Sequence, residues 1–174
     1  QNHRHRLHDI MIHTNGLHIC AEDRLILLYS CSTGMGTTVL FSALLNGASL
    51  YPYNLKEDGM ATLPHWLKRH EITIYTSITT VLRHFLSTLD DDLELPELRL
   101  IYQSGEPLYK KDVDLYKKYF PAHCILINGM GSGEIARLRR YYIDRETEIA
   151  GNVVPIGYGV EDKEVLLLDE NGEE

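Results

Sequence analysis

The sequence predicts a three-layer α/β fold, a parallel sheet with helices on both faces. Two observations carry this. Short, continuous apolar runs recur from Leu25 to Ile127, the pattern of strands buried on both faces. Segments with apolar residues at helical spacing separate those runs, and strand–helix alternation implies parallel strands joined by crossover helices.

The elements follow in order. Leu25–Ser30 (LILLYS) reads as a buried strand, and Gly36–Asn46 as a helix stopped by Gly47. Ala48–Tyr51 is a short strand, and Met60–His70 carries Leu63, Trp66 and Leu67 at helical spacing. Ile72–Tyr75 (ITIY) is β-branched and strand-like. Thr79–Leu89 is helical, with Val81, Leu82, Phe85, Leu86 and Leu89 on one face. Leu98–Tyr102 is the next strand, Leu108–Phe120 a helix and Cys124–Ile127 the fifth strand. The alternation fits a flavodoxin-like or Rossmann-type sheet, in which ligands sit at the carboxyl ends of the strands. After Glu134 the texture changes. Leu138–Ile143 and Glu164–Asp169 read as strands of a different, more β-rich layer, ending in a turn over 169–174. The expected division is a flavodoxin-like α/β unit over residues 1–137. Residues 138–174 would then be a partial β-rich extension, the start of a following subdomain.

The chain has 174 residues, 44% hydrophobic and 24% charged, an ordinary globular composition that favours one domain. A net charge of −8 argues against nonspecific nucleic-acid or anionic-membrane partners. No apolar run approaches the roughly 20 residues of a membrane span. Cys20, Cys31 and Cys124 form no CxxC pair and read as reduced thiols of a cytoplasmic protein.

Three Gly/Ser-rich segments are expected at the strand ends: Cys31–Gly36, Gln103–Pro107 and Asn128–Glu134. In the last, Gly129, Gly131 and Gly133 leave little bulk, so the backbone could use positive φ and approach a ligand, with N–H groups for phosphate. The acidic Glu134 beside them could hold a metal ion. Alone, this loop looks like a dinucleotide turn, but its G-x-G-x-G spacing departs from G-x-G-x-x-G and it follows the fifth strand rather than the first. Ser32–Thr38 lacks the Lys of a phosphate loop and reads as a strand-to-helix turn capped by Thr. His3, His5, His8 and His13 do not share i, i+4 spacing, and histidine is common on solvated surfaces, so they do not read as a metal site. Lys110, Lys111, Lys117 and Lys118 read as a solvated helix face.

Jointly these pieces resemble the large domain of adenylate-forming enzymes, a superfamily that includes nonribosomal peptide synthetase adenylation domains, acyl-CoA synthetases and luciferases. Gln1-Asn-His-Arg resembles the stretch after the family's phosphate loop. Asp23-Arg24 before LILLYSCS, Ala43-Leu-Leu-Asn-Gly-Ala48 and Glu71–Tyr75 are similar to successive family segments. Leu100–Glu106 resembles its G-G-E loop, Asn128–Glu134 its N-x-Y-G-P-T-E motif, and Val154-Pro-Ile-Gly157 with LLLDENG its v-P-I-G and v-x-D-x-x-G stretch.

The resemblance implies activation of a carboxylic or amino acid by Mg-ATP to an acyl-adenylate, usually passed to a carrier-protein thiol. It implies that Glu134 helps hold Mg²⁺, that Ser104, Gly105 and Glu106 border adenine, and that Asn128, Gly129, Met130, Gly131, Ser132 and Gly133 wrap adenine and α-phosphate. The acid pocket would be lined by Gly34, Met35, Thr38, Thr76, Ile101, Gln103, Gly129, Arg137 and Leu138. Met130 stands where the family stacks a Tyr on adenine, and Ser132-Gly133 replaces Pro-Thr. Thr33-Gly34 replaces a Phe-Asp pair whose Asp would bind a substrate α-amine, so either the acid lacks that amine or the pocket is remodelled. The phosphate loop, the ribose-binding Asp and the C-terminal domain with the catalytic Lys are expected outside this stretch, which alone should catalyse little. An autonomous flavodoxin-like binding module and a dinucleotide-dependent oxidoreductase are the alternatives.

Overall fold

The computed structural model describes residues 2–173. Five strands run parallel: β1 (Arg24–Leu27), β2 (Ser49–Pro52), β3 (Ile74–Ile78), β4 (Leu100–Ser104) and β5 (Ile125–Ser132). β6 (Ala136–Ile143) and β7 (Tyr158–Gly159) continue antiparallel, giving one seven-stranded sheet in the order β2-β1-β3-β4-β5-β6-β7. The helices are α1 (His3–Leu17), α2 (Gly34–Leu45), α3 (Leu55–Asp58), α4 (Leu63–Arg69), α5 (Thr79–Ser87) and α6 (Lys110–Tyr119).

Period-two alternation sends successive strand residues into two different cores. Leu25, Leu27, Ile74, Leu100, Tyr102 and Ile127 pack with Leu17 of α1 and Val39 and Ala43 of α2. Ile26, Tyr75, Ile101 and Leu126 pack with Leu63 and Leu67 of α4, Leu82 and Phe85 of α5, and Val113 and Tyr116 of α6. The predicted three-layer α/β fold is therefore present, and each predicted strand–helix pair up to Ile127 appears within a few residues.

Four points differ from the sequence reading. α1 is a full helix of 15 residues that no periodicity announced, and the short α3 and β7 were likewise unread. Residues 138–143 do form a strand, but β6 pairs with β5 in the same sheet rather than in a layer of its own. Glu164–Asp169 is not a strand: no neighbour offers it a ladder, and Leu166, Leu167 and Leu168 are exposed. Asn128–Ser132 is not loop but the end of β5. Gln1, at the start of one matched segment, and Glu174, at the end of the predicted turn, lie outside the described residues.

Candidate functional site

A cavity of about 290 Å³ opens at the carboxyl ends of β4 and β5, beside the start of α2. One wall is glycine and hydroxyl: Ser104, Gly105, Gly131, Ser132 and Gly133. Gly105 turns the chain out of β4 at φ 99°, a left-handed value that suits glycine. Gly34, Met35 and Thr38 of α2, Tyr102, Ala136, Arg137, and Arg6 of α1 complete the lining.

Local sequence explains each placement. Thr33 caps α2, its hydroxyl accepting from the Gly36 N–H at 3.0 Å, so 32–38 is the capped turn the sequence implied. Asn2 caps α1 by accepting from the His5 N–H at 2.8 Å. α1 then lies over the β5–β6 hairpin. Arg137 Nη1 donates to Asp9 Oδ2 at 2.6 Å, Tyr142 donates to the Gly16 carbonyl at 2.9 Å, and Arg140 reaches the Ile12 carbonyl at 3.3 Å. Beneath the cavity, His13 meets Tyr102 edge-on, ring centroids 5.3 Å apart. Burial first, then Arg137 and Arg140, drive its pKa well below the ordinary histidine value.

Two glycines of the β5–β6 hairpin, Gly129 and Gly131, serve packing. A Cβ at Gly129 would overlap the Tyr102 hydroxyl and ring, and one at Gly131 would overlap the Ala136 carbonyl. None of Gly129, Gly131 and Gly133 has positive φ, contrary to the freedom the sequence offered.

Among the predicted pocket residues, Gly34, Met35, Thr38 and Arg137 line the cavity. Thr76 is buried in register with Tyr102, and Gly129 backs the Tyr102 ring. Ile101 and Gln103 do not belong to it. Ile101 enters the opposite core, and Gln103 is fully buried, donating to Asn128 and accepting from Thr79. A one-residue step along a strand changes face, so Tyr102 and Ser104 occupy the cavity instead. Leu138 lies outside the lining, as the extra residue where the pairing shifts between Met130 and Gly131.

Among the predicted nucleotide contacts, Ser104, Gly105, Gly131, Ser132 and Gly133 line the cavity. Asn128 is buried and donates to the Pro155 carbonyl at 2.9 Å, and Met130 is exposed outside the lining. Glu106 instead accepts from the backbone N–H (3.0 Å) and hydroxyl (2.5 Å) of Thr80 at the start of α5. Glu134 is exposed at the hairpin tip, where the Ser132 hydroxyl holds its carboxyl below the usual range. Among the described residues no three His, Cys, Asp or Glu side chains gather as a metal site, the N-terminal histidines included. Arg6, Tyr102 and Ala136 were missed by the sequence reading. Strand alternation groups Tyr102 with Ser104 without showing which face meets the cavity, and nothing pointed to Arg6.

The family model described as AMP-binding enzyme matches residues 2–174. The chain belongs to the AMP-binding enzyme family. Within that family its likeness is to adenylation domains of the nonribosomal peptide synthetase type. It is 32% identical over 118 residues to surfactin synthase subunit 2 of Bacillus subtilis (strain 168), covering 65% of this chain and 3% of that protein. It is 25% identical over 162 residues to tyrocidine synthase 1 of Brevibacillus parabrevis, covering 90% and 14%. Its fold matches the Vibrio cholerae adenylation domain AlmE, solved with glycyl-adenosine-5'-phosphate, at TM-score 0.81 and 22% identity over 94% of this chain and 30% of that one. IdnL7 matches at TM-score 0.85 and 23% identity, over 99% and 35%. This AMP-binding chain therefore spans a small part of the length of each relative. Intact adenylation enzymes of this family use ATP and Mg²⁺ and bind an amino or carboxylic acid. Among the described residues no helix is long and apolar enough to cross a membrane.

Proposed function

We propose that this chain is the substrate-selecting part of an enzyme that joins a carboxylic or amino acid to AMP, using Mg-ATP. The observation that carries the reading is one cavity with two kinds of lining. Glycine and hydroxyl groups suited to phosphate stand in it beside side chains suited to an acid. Ser104, Gly105, Gly131, Ser132 and Gly133 border the nucleotide, and Gly34, Met35, Thr38, Tyr102 and Arg137 border the acid. Reaction here is chiefly positioning, the acid carboxylate being held in line with the α-phosphate while hydrogen-bond donors neutralise developing charge.

Glu134 is the residue that would hold Mg²⁺. An ionised carboxylate at an exposed tip fits an ion that keeps waters and phosphate oxygens for most of its shell. When bound, the ion neutralises the phosphates. Residues 138–174 begin a following β-rich unit in this reading, and the partners are the rest of the adenylating enzyme and a carrier-protein thiol, in the cytoplasm.

ATP–pyrophosphate exchange tests the proposal. The isolated chain is expected to show none, and the same segment within a full-length adenylating enzyme is expected to exchange with at least one acid. Glu134→Gln there should lower exchange by roughly 10²-fold. Strong exchange by the isolated chain would contradict an incomplete site, and none in the long form with any acid would remove the assignment.

A further inference from the structure

Resting on that reading, we propose that the cavity selects a short acid carrying a second carboxylate, held by Arg6 and Arg137. These two guanidiniums line the cavity, and no lining residue is acidic. The nearest carboxylate, Asp9, is fully buried outside the lining, with its Oδ2 2.6 Å from Arg137 and 3.7 Å from Arg6. One carboxylate thus faces two guanidiniums. Two more cations stand behind them: Arg140, 5% exposed, and Lys163, whose ammonium donates to the Arg137 carbonyl.

One donor is also under-used. Arg6 Nη1 donates to Thr38 Oγ1 at 3.2 Å, but Arg137 is 4% exposed and its Nε–H has no acceptor among the described residues, although Oδ1 of the neighbouring Asp9 is unpaired as well. A buried donor left unpaired is costly, and a carboxylate approaching a guanidinium can satisfy two donors at once. No lining carboxylate stands ready for an ammonium group: position 34 is a glycine with nothing within 4 Å of where its Cβ would sit. The volume of about 290 Å³ lies just below the ~300–1,000 Å³ range of ligand pockets and is shared with the nucleotide, which leaves room only for a short chain.

Calorimetric titration of the chain tests this, using succinate, glutarate, adipate, aspartate and glutamate, each against its side-chain or mono-amide. At least one diacid is expected to bind about 100-fold tighter than its amide, because the amide leaves buried donors unpaired. Arg6→Gln should erase most of that ratio. Arg6 is partly exposed, so this variant keeps the fold where Arg137→Gln would strand Asp9, and circular dichroism checks it. Equal binding of every diacid and its amide, no diacid binding at all, or an unchanged ratio in a folded Arg6→Gln variant would each overturn the inference. Pyrophosphate exchange with the same acids in the full-length form separates the two readings. Exchange with monoacids in preference to diacids overturns the selectivity and leaves the adenylating function standing. Diacid preference in binding without exchange by any acid does the reverse.

Discussion

His13 is a buried group that couples stability to pH. Arg140 Nη2 lies 3.5 Å from its Nδ1, and since arginine can only donate, Nδ1 accepts and the neutral ring carries its proton on Nε2. Its pKa in the folded chain is well below the unfolded value of about 6.5. The unfolded chain therefore binds more protons below that pH. The stabilisation is complete above about pH 6.5 and falls as the pH drops towards the folded value, with a slope of up to about 1.4 kcal/mol per unit. Urea unfolding between pH 7.5 and 5 should show this, and His13→Phe, which keeps the contact with Tyr102, should flatten the profile. Parallel profiles would mean that His13 is not the group responsible. The hairpin glycines allow a second comparison. Gly131→Ala should cost about 1–3 kcal/mol, because a Cβ there meets backbone that cannot move aside. Gly133→Ala, whose Cβ meets nothing within 4 Å, should change thermal stability little.

Asp23 ties four elements together. Arg99 grips its two oxygens at 2.8 and 2.6 Å, the Cys20 N–H donates at 3.0 Å and the Thr73 hydroxyl at 2.7 Å. Arg99 also donates to the Leu17 and His18 carbonyls, so the cluster joins the starts of β1, β3 and β4 to the end of α1. Burial by itself raises the carboxyl, but these donors, Arg99 foremost, outweigh it and the net shift is downward. A depressed carboxylate stabilises fully above its unfolded pKa of about 3.9, and that contribution is lost as pH falls through the folded value. Asp23→Asn should cost about 2 kcal/mol at pH 7, with solvent at the partly exposed Arg99 limiting the loss, and should blunt the acid limb of the stability curve. A denaturation midpoint unchanged at pH 7 would refute this role. The same scale explains why α1 was illegible. Its buried face includes Asp9 and His13 among Ile10, Ile12 and Leu17, so it carries no clean apolar stripe. Those polar residues are buried because Arg137 and Arg140 of β6 come to meet them.

The parallel strands adopt the order 2-1-3-4-5, an arrangement whose ligands lie at the carboxyl ends of the strands. The cavity is at that edge, where the sequence reading looked for it. Alternation of apolar strands and amphipathic helices is a local property, so five strands, four helices and the glycine-rich ends of β4 and β5 could be read directly from residue order. The face of a strand buried on both sides is not local. Ile101, Tyr102 and Gln103 are all buried, and hydropathy does not separate the residues that see the cavity from those that see α5 and α6. Only the packing of helices on each side decided that Tyr102 and Ser104, not Ile101 and Gln103, line the cavity. Tertiary structure likewise brought Arg6, more than a hundred residues away in sequence, beside Arg137. The chain order determined the fold and the position of its ligand edge. The charge of the cavity was decided by long-range contacts, because ion pairs between distant elements leave no period in a sequence.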